Sequence, residues 1–132
     1  MASSFVTAYA NSVLTAAFKT QTVYGSLHLA SPGDTGAATC EVADAYCYTR
    51  KAITFADDGA TRTISNTAAL EFDAANGGNW GTITYLGINT CSTRGQTVDV
   101  AYGQLTASKV IDDGDQLKFA IGNIDITIAA GA

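Results

Sequence analysis

From Val23 onward the chain repeats one pattern: short runs with apolar side chains at every second residue, each cut off by glycine, asparagine or aspartate. Val23, Gly25, Leu27 and Leu29 alternate with Tyr24, Ser26, His28 and Ala30. Val98, Val100 and Tyr102 keep the same spacing, as do Leu117, Phe119 and Ile121, and then Ile124, Ile126 and Ile128. A period of two puts successive side chains on opposite faces of an extended strand, whereas a helical stripe needs a spacing of three or four. With turn signals about every 8–12 residues, such runs predict one antiparallel β-sandwich or barrel-like domain of about eight short strands.

Further strands are expected over 46–55, 61–66, 68–72 and 82–89, with 61–66 at a sheet edge. Ser31-Pro32-Gly33-Asp34, Asp57-Asp58-Gly59, Asn76-Gly77-Gly78-Asn79 and Asp112-Asp113-Gly114-Asp115 supply the turns, the glycine pair at 77–78 and the aspartate cluster at 112–115 as hairpins. Residues 35–45 and 91–96 read as loops. The only proline, Pro32, lies in a turn and interrupts no strand.

The N-terminal stretch has a different period. Phe5, Tyr9 and Val13 are spaced by four, with Val6, Leu14, Ala17 and Phe18 widening the stripe, so a helix is expected over 1–20. Ser3 or Ser4 can cap it, and Lys19 suits the negative end of its dipole. The stripe must bury either against the protein's own sheet or against a partner chain. The domain reading is a single unit over 1–132, with the helix followed by a sandwich over 22–130.

Composition narrows the function classes. Hydrophobic residues make up 47% and charged residues 14%, the latter well under the usual ~25%. The net charge is -5, and the seven basic residues are scattered, with Arg50-Lys51 their only adjacent pair. Nucleic acid is thereby disfavoured, because phosphate contacts need clustered cations. No apolar run approaches the ~20 residues that cross a bilayer, so no membrane partner is expected. The N-terminus has no basic segment followed by a continuous apolar stretch, which leads to an expectation of cytoplasmic synthesis without a secretory signal.

Three cysteines, Cys40, Cys47 and Cys91, and one histidine, His28, supply a zinc site poorly. The cysteines are either small apolar residues, or Cys40 and Cys47 close a bridge on oxidation outside the cell and leave Cys91 free or bonded to another chain. A Gly-x-Ser-x-Gly turn and a phosphate-cradling glycine loop are both missing. A Ser-His-Asp triad would have to use His28, which falls on the polar face of its strand and is expected to be exposed or at a pocket rim. Asp112, Asp113 and Asp115 lack the spacing of a calcium loop and are expected to hydrogen-bond their own turn. No metal, cofactor or catalytic residue is therefore expected. Phe5, Tyr9, Tyr46, Tyr48, Trp80 and Tyr85 are the candidate interface residues; Tyr46, Tyr48, Trp80 and Tyr85, with Tyr102, could instead face a sugar or form core and cross-strand pairs.

The order of segments resembles a family of small tailed-phage virion proteins, often labelled tail fibre or virion structural protein. The resemblance runs through Asn11-Ser12-Val13-Leu14, Val23 to Gly36, Tyr48 to Phe55, Ser65 to Phe72, Asn79 to Ile88, Ala101 to Thr106 and Ile111 to Phe119. It covers nearly the whole chain, and the cysteines depart from the pattern. It implies a non-enzymatic virion component assembled in the host cytoplasm. Its partners would be other virion proteins, either the major capsid protein or tail proteins, and copies of itself, with a trimer as one arrangement. Two roles follow. A capsid decoration (cement) protein bridging shell subunits is the first expectation; a tail fibre, collar or baseplate component, or a host-surface-binding module, is the alternative.

Overall fold

A computed structural model describes residues 5–57 and 62–128. A helix α1 (Thr7–Leu14) continues into a π-helical turn (Thr15–Lys19). Nine strands follow among the described residues: β1 (Val23–His28), β2 (Lys51–Ile53), β3 (Phe55–Asp57), β4 (Thr63–Asn66), β5 (Leu70–Glu71), β6 (Gly81–Asn89), β7 (Ala101–Ile111), β8 (Lys118–Phe119) and β9 (Asp125–Thr127). They form three open sheets, ordered β2-β1-β6-β7, β3-β4-β9 and β5-β8. The fold is mainly β and antiparallel with one N-terminal helix, as the alternation predicts, and no sheet closes into a barrel.

The chain divides into two compact units, interleaved in sequence. The helical unit takes residues 5–22, 53–70 and 119–128 of those described; the sheet unit takes 23–52 and 71–118. In the helical unit, Ala10, Leu14 and Phe18 form the buried side of the helix. Phe18 meets Phe55 edge-on, with ring centroids 5.3 Å apart. β4 lies between β3 and β9, in register Ile64↔Asp57 and Ile64↔Ile126. It is thus a central strand and not the edge strand expected, because β9 returns from 60 residues further along to cover its second side. The expected cap by Ser3 or Ser4 and the turn over 58–59 lie outside the described residues.

In the sheet unit β1 pairs with β6 (Ser26↔Gly87, His28↔Tyr85) and β6 with β7 (Gly87↔Tyr102). The core gathers Val23, Leu27, Tyr48, Phe72, Trp80, Ile83 and Ile88. Five of the six β1 residues are buried, so the strand is covered on both faces and its alternation does not mark an inside and an outside. The register of β6 with β7 slips between Ile83 and Tyr85, where Lys109 and Gln104 are their opposites, so the intervening β7 residues bulge. The turns at 77–78 and 112–115 are not hairpins: β6 pairs with β1 and β7, while β8 pairs with β5. The run 46–55 is not one strand either, because Tyr46 and Cys47 adopt left-handed φ values of 56° and 68° and regular pairing begins only at Lys51.

Candidate functional site

The chemistry-bearing side chains of the sheet unit converge in its interior. Short residues on one face of the sheet make room for them. A Cβ on Gly87 would lie 2.5 Å from Ser26 Oγ and 2.9 Å from His28 Nε2, so only glycine fits opposite Ser26. Ser26 Oγ is 2.7 Å from His28 Nε2 and accepts a hydrogen bond from Asn89 Nδ2 at 2.9 Å. A serine hydroxyl against an imidazole is half of a nucleophilic triad. Here both residues are 0% exposed, and no carboxylate or other hydrogen-bond partner among the described residues meets His28 Nδ1. The hydroxyl is closed off from solvent, and among the described residues the imidazole has no orienting group. The expectation of an exposed or rim His28 is thus overturned. Residue 41 is the reason: it bridges back to His28, Leu29 N–H donates to Cys40 O, and Val42 N–H donates to Leu27 O, laying this loop along β1. Burial holds His28 below the usual histidine range, with Glu41 opposing and Arg50 and Arg94 adding to the shift.

A buried ion pair follows on the same loop. Arg50 and Glu41 have fully buried side chains and meet twice, Nη2 to Oε1 at 2.8 Å and Nε to Oε2 at 2.9 Å. Tyr48 Oη donates to Glu41 Oε2 at 2.7 Å and accepts from Leu27 N–H at 3.0 Å. Gly95 N–H donates to Glu41 Oε1, and Arg50 also donates to the carbonyls of Cys91 and Gln96. Burial alone would raise the Glu41 pKa; the hydrogen bonds from Arg50, Gly95 and Tyr48 outweigh it and hold the carboxyl below its usual range. Burial, then the Glu41 charge, pushes the Tyr48 phenol well above its ordinary value. Apart from the Leu27 N–H bond to β1, the group is turned toward two loops that have no strand ladder of their own. Its role is to hold chain.

The candidate interface aromatics divide. Tyr48 and Trp80 are 2% and 4% exposed, their rings meeting edge-on at 5.4 Å, and so belong to the core, the other reading the sequence offered. Tyr9 lies on the outer side of the helix, and Phe5 and Val6, in the extended segment just before it, are exposed too; the Phe5 and Tyr9 rings meet edge-on at 5.3 Å. Of the expected stripe, Phe5 and Tyr9 are exposed and Val13 is half-buried, while Ala10, Leu14 and Phe18, a second set spaced by four, do the packing. Tyr46 is exposed, and Tyr85 is half-buried beside the exposed Tyr102. Tyr102, which the sequence offered as a sugar-facing or cross-strand aromatic, donates to Asp34 Oδ1 at 2.7 Å at the rim of a shallow groove of about 380 Å³ lined also by Gly33, Val98 and Asp99. Asp99 spends both oxygens on Thr90. Cys40, Cys47 and Cys91 carry free thiols, with Cys47 exposed. Among the described residues, no three His, Cys, Asp or Glu side chains gather as metal ligands would, and no helix is long and apolar enough to cross a membrane.

The aspartates at 112–115 serve their turn and its neighbour: Asp115 Oδ2 accepts from Asp112 N–H, and Asp113 Oδ1 accepts from Gly77 N–H. Ser26, His28, Glu41 and Arg50 are thus buried, while Phe5, Tyr9, Tyr46 and Tyr102 are the exposed aromatic rings. No curated protein matches the sequence. A family model described as podophage GP4 fiber I protein gp80 matches residues 2–127. The chain belongs to that phage fibre protein family.

Proposed function

We propose that this protein is a tail-associated, non-enzymatic structural component of a tailed-phage virion, which works by binding neighbouring tail proteins and copies of itself. The observation that carries this reading is the fibre-family match over residues 2–127, which includes both the helix and the last strand. The buried state of Ser26, His28, Glu41 and Arg50 supports the non-catalytic part, because Glu41 and Arg50 are committed to holding loops and Ser26 and His28 are closed off against each other. Capsid decoration, the first expectation from the sequence, has less support, since a fibre is a tail-type part. The surfaces offered to partners are the outer side of α1, with Val6 and Tyr9, and the exposed strand β7, which ends its sheet. A sheet-end strand presents unpaired backbone groups to a neighbour.

Quantitative mass spectrometry of washed virions, with immunogold labelling, tests the proposal. Tens of copies per particle and label at the tail are expected. Hundreds of copies spread over the shell would restore the decoration reading, and turnover of a substrate by the purified protein would end the non-enzymatic one.

A further inference from the structure

Tyr46 is the one aromatic residue of the described chain held outward by a left-handed backbone. Its φ is 56°, that of Cys47 is 68°, and the ring remains 45% exposed. Non-glycine residues in this region carry a conformational cost, and two in succession persist only where surroundings enforce them. Three features do so. Trp80 Nε1–H donates to Tyr46 O at 3.0 Å, and Asn76 N–H donates to the same oxygen at 3.3 Å. The ring then lies directly over Gly78: a Cβ there would stand 2.4–2.6 Å from three of its carbons. A Cβ on Gly77 would come to ordinary contact with the ring, at 3.6 Å. The Gly77-Gly78 pair is thus a bed for the tyrosine, and its lack of side chains is what lets the ring lie down.

The side chains fastened to this bed are polar. Asp113 Oδ1 accepts from Gly77 N–H at 2.9 Å, and Asn79 Oδ1 accepts from Asp113 N–H at 2.9 Å. Both residues are exposed, and among the described residues the second Asp113 oxygen and the Asn79 amide nitrogen make no other hydrogen bond. A fixed aromatic face beside a carboxylate acceptor and an amide donor has two-sided chemistry. The ring face suits the apolar C–H face of a pyranose, and the oxygen and nitrogen suit its hydroxyl groups.

We infer that Tyr46, on its Gly77-Gly78 bed, is a stacking platform for a neutral sugar, with Asp113 and Asn79 taking hydroxyls at its edge. A neutral ligand is favoured over an anionic one by the Asp113 carboxylate and the net charge of -5. A protein contact is the less favoured occupant, because the side chains tied to the bed are a carboxylate and an amide, whereas the centre of a protein interface is depleted of charge. The inference does not depend on where the protein stands in the virion.

Saturation-transfer NMR on the full chain with the methyl glycosides of glucose, galactose and mannose and with N-acetylglucosamine tests it. At least one sugar is expected to receive saturation at the protons of one face. Tyr46→Gly removes the ring yet suits the left-handed backbone, so the protein stays folded, and affinity should fall roughly tenfold. Asp113→Asn and Asn79→Ala should each lower it by a smaller factor, while Tyr102→Ala, at an exposed aromatic elsewhere, should leave it unchanged. No transfer to any of the four sugars, or equal binding by Tyr46→Gly, overturns the inference. So does the loss of virion incorporation by Tyr46→Gly without any sugar binding, which would make the ring a protein contact.

Discussion

The two units bury different kinds of interior. Among the described residues, the helical unit is apolar inside, with Asn66 as its buried polar side chain; the sheet unit encloses Ser26, His28, Glu41, Tyr48, Arg50 and Asn89. Their loops account for the contrast. Residues 29–50 and 90–100 of the sheet unit run without regular strands, and their inward backbone groups need partners that a ladder does not provide. Arg50 supplies donors for the carbonyls of Cys91 and Gln96, Glu41 an acceptor for Gly95 N–H, and Arg94 donors for the carbonyls of Glu41 and Val42. Asn66 does the same work on a smaller scale, accepting from Ile124 N–H and donating to the carbonyls of Ala68 and Ala120. An ion pair that could pass for an active site is better understood as the stitching of two loops.

If that is right, cutting the stitch should cost more than any other polar change. Glu41→Ala strands the buried Arg50 charge and should lower stability by about 3–5 kcal/mol in urea unfolding. Amide exchange should accelerate first over residues 91–96, and uniform acceleration across both units would break the contrast. Asn66→Ala should cost less, about 1–3 kcal/mol, with faster exchange at the Ile124 amide and little change at Gly95.

The smallest effect is with pH. His28 is held neutral in the fold, below its ordinary value of 6.5, so the unfolded chain binds the extra proton first and stability declines as pH falls below about 6.5. Glu41 is depressed in the fold; its contribution is present above the unfolded carboxylate value and is lost as pH falls through the folded one. The two add in the same direction at successive pH values. His28→Gln should remove the upper limb and leave the lower, as urea titrations at stepped pH would show; an unchanged profile would mean that the imidazole does not report on the sheet unit.

Much of the fold was legible in the chain, and the reason is local. Periods of two marked β1, β7, β8 and β9, β-branched and aromatic content marked β6, and the period near four marked the helix. Side-chain destinations were less legible. Strict alternation puts Tyr46 and Tyr48 on one face, yet the left-handed residues at 46 and 47 break the period, sending Tyr46 outward and Tyr48 into the core. A signal for this existed in Gly77-Gly78, which reads as a hairpin turn but serves as the bed for Tyr46. At the helix, the widest apolar stripe was legible and its inner side was not: Tyr9, with Phe5 just before the helix, is exposed while Ala10 is fully buried.

The sequence by itself determined that this chain builds short antiparallel strands behind one helix, because alternation and turn chemistry act over a few neighbouring residues. Only the tertiary structure decided that His28 is buried, that β4 is central, and that Arg50 serves carbonyls 41 and 46 residues away. Burial and ion pairing depend on which distant segments come to lie together, and no local period encodes that.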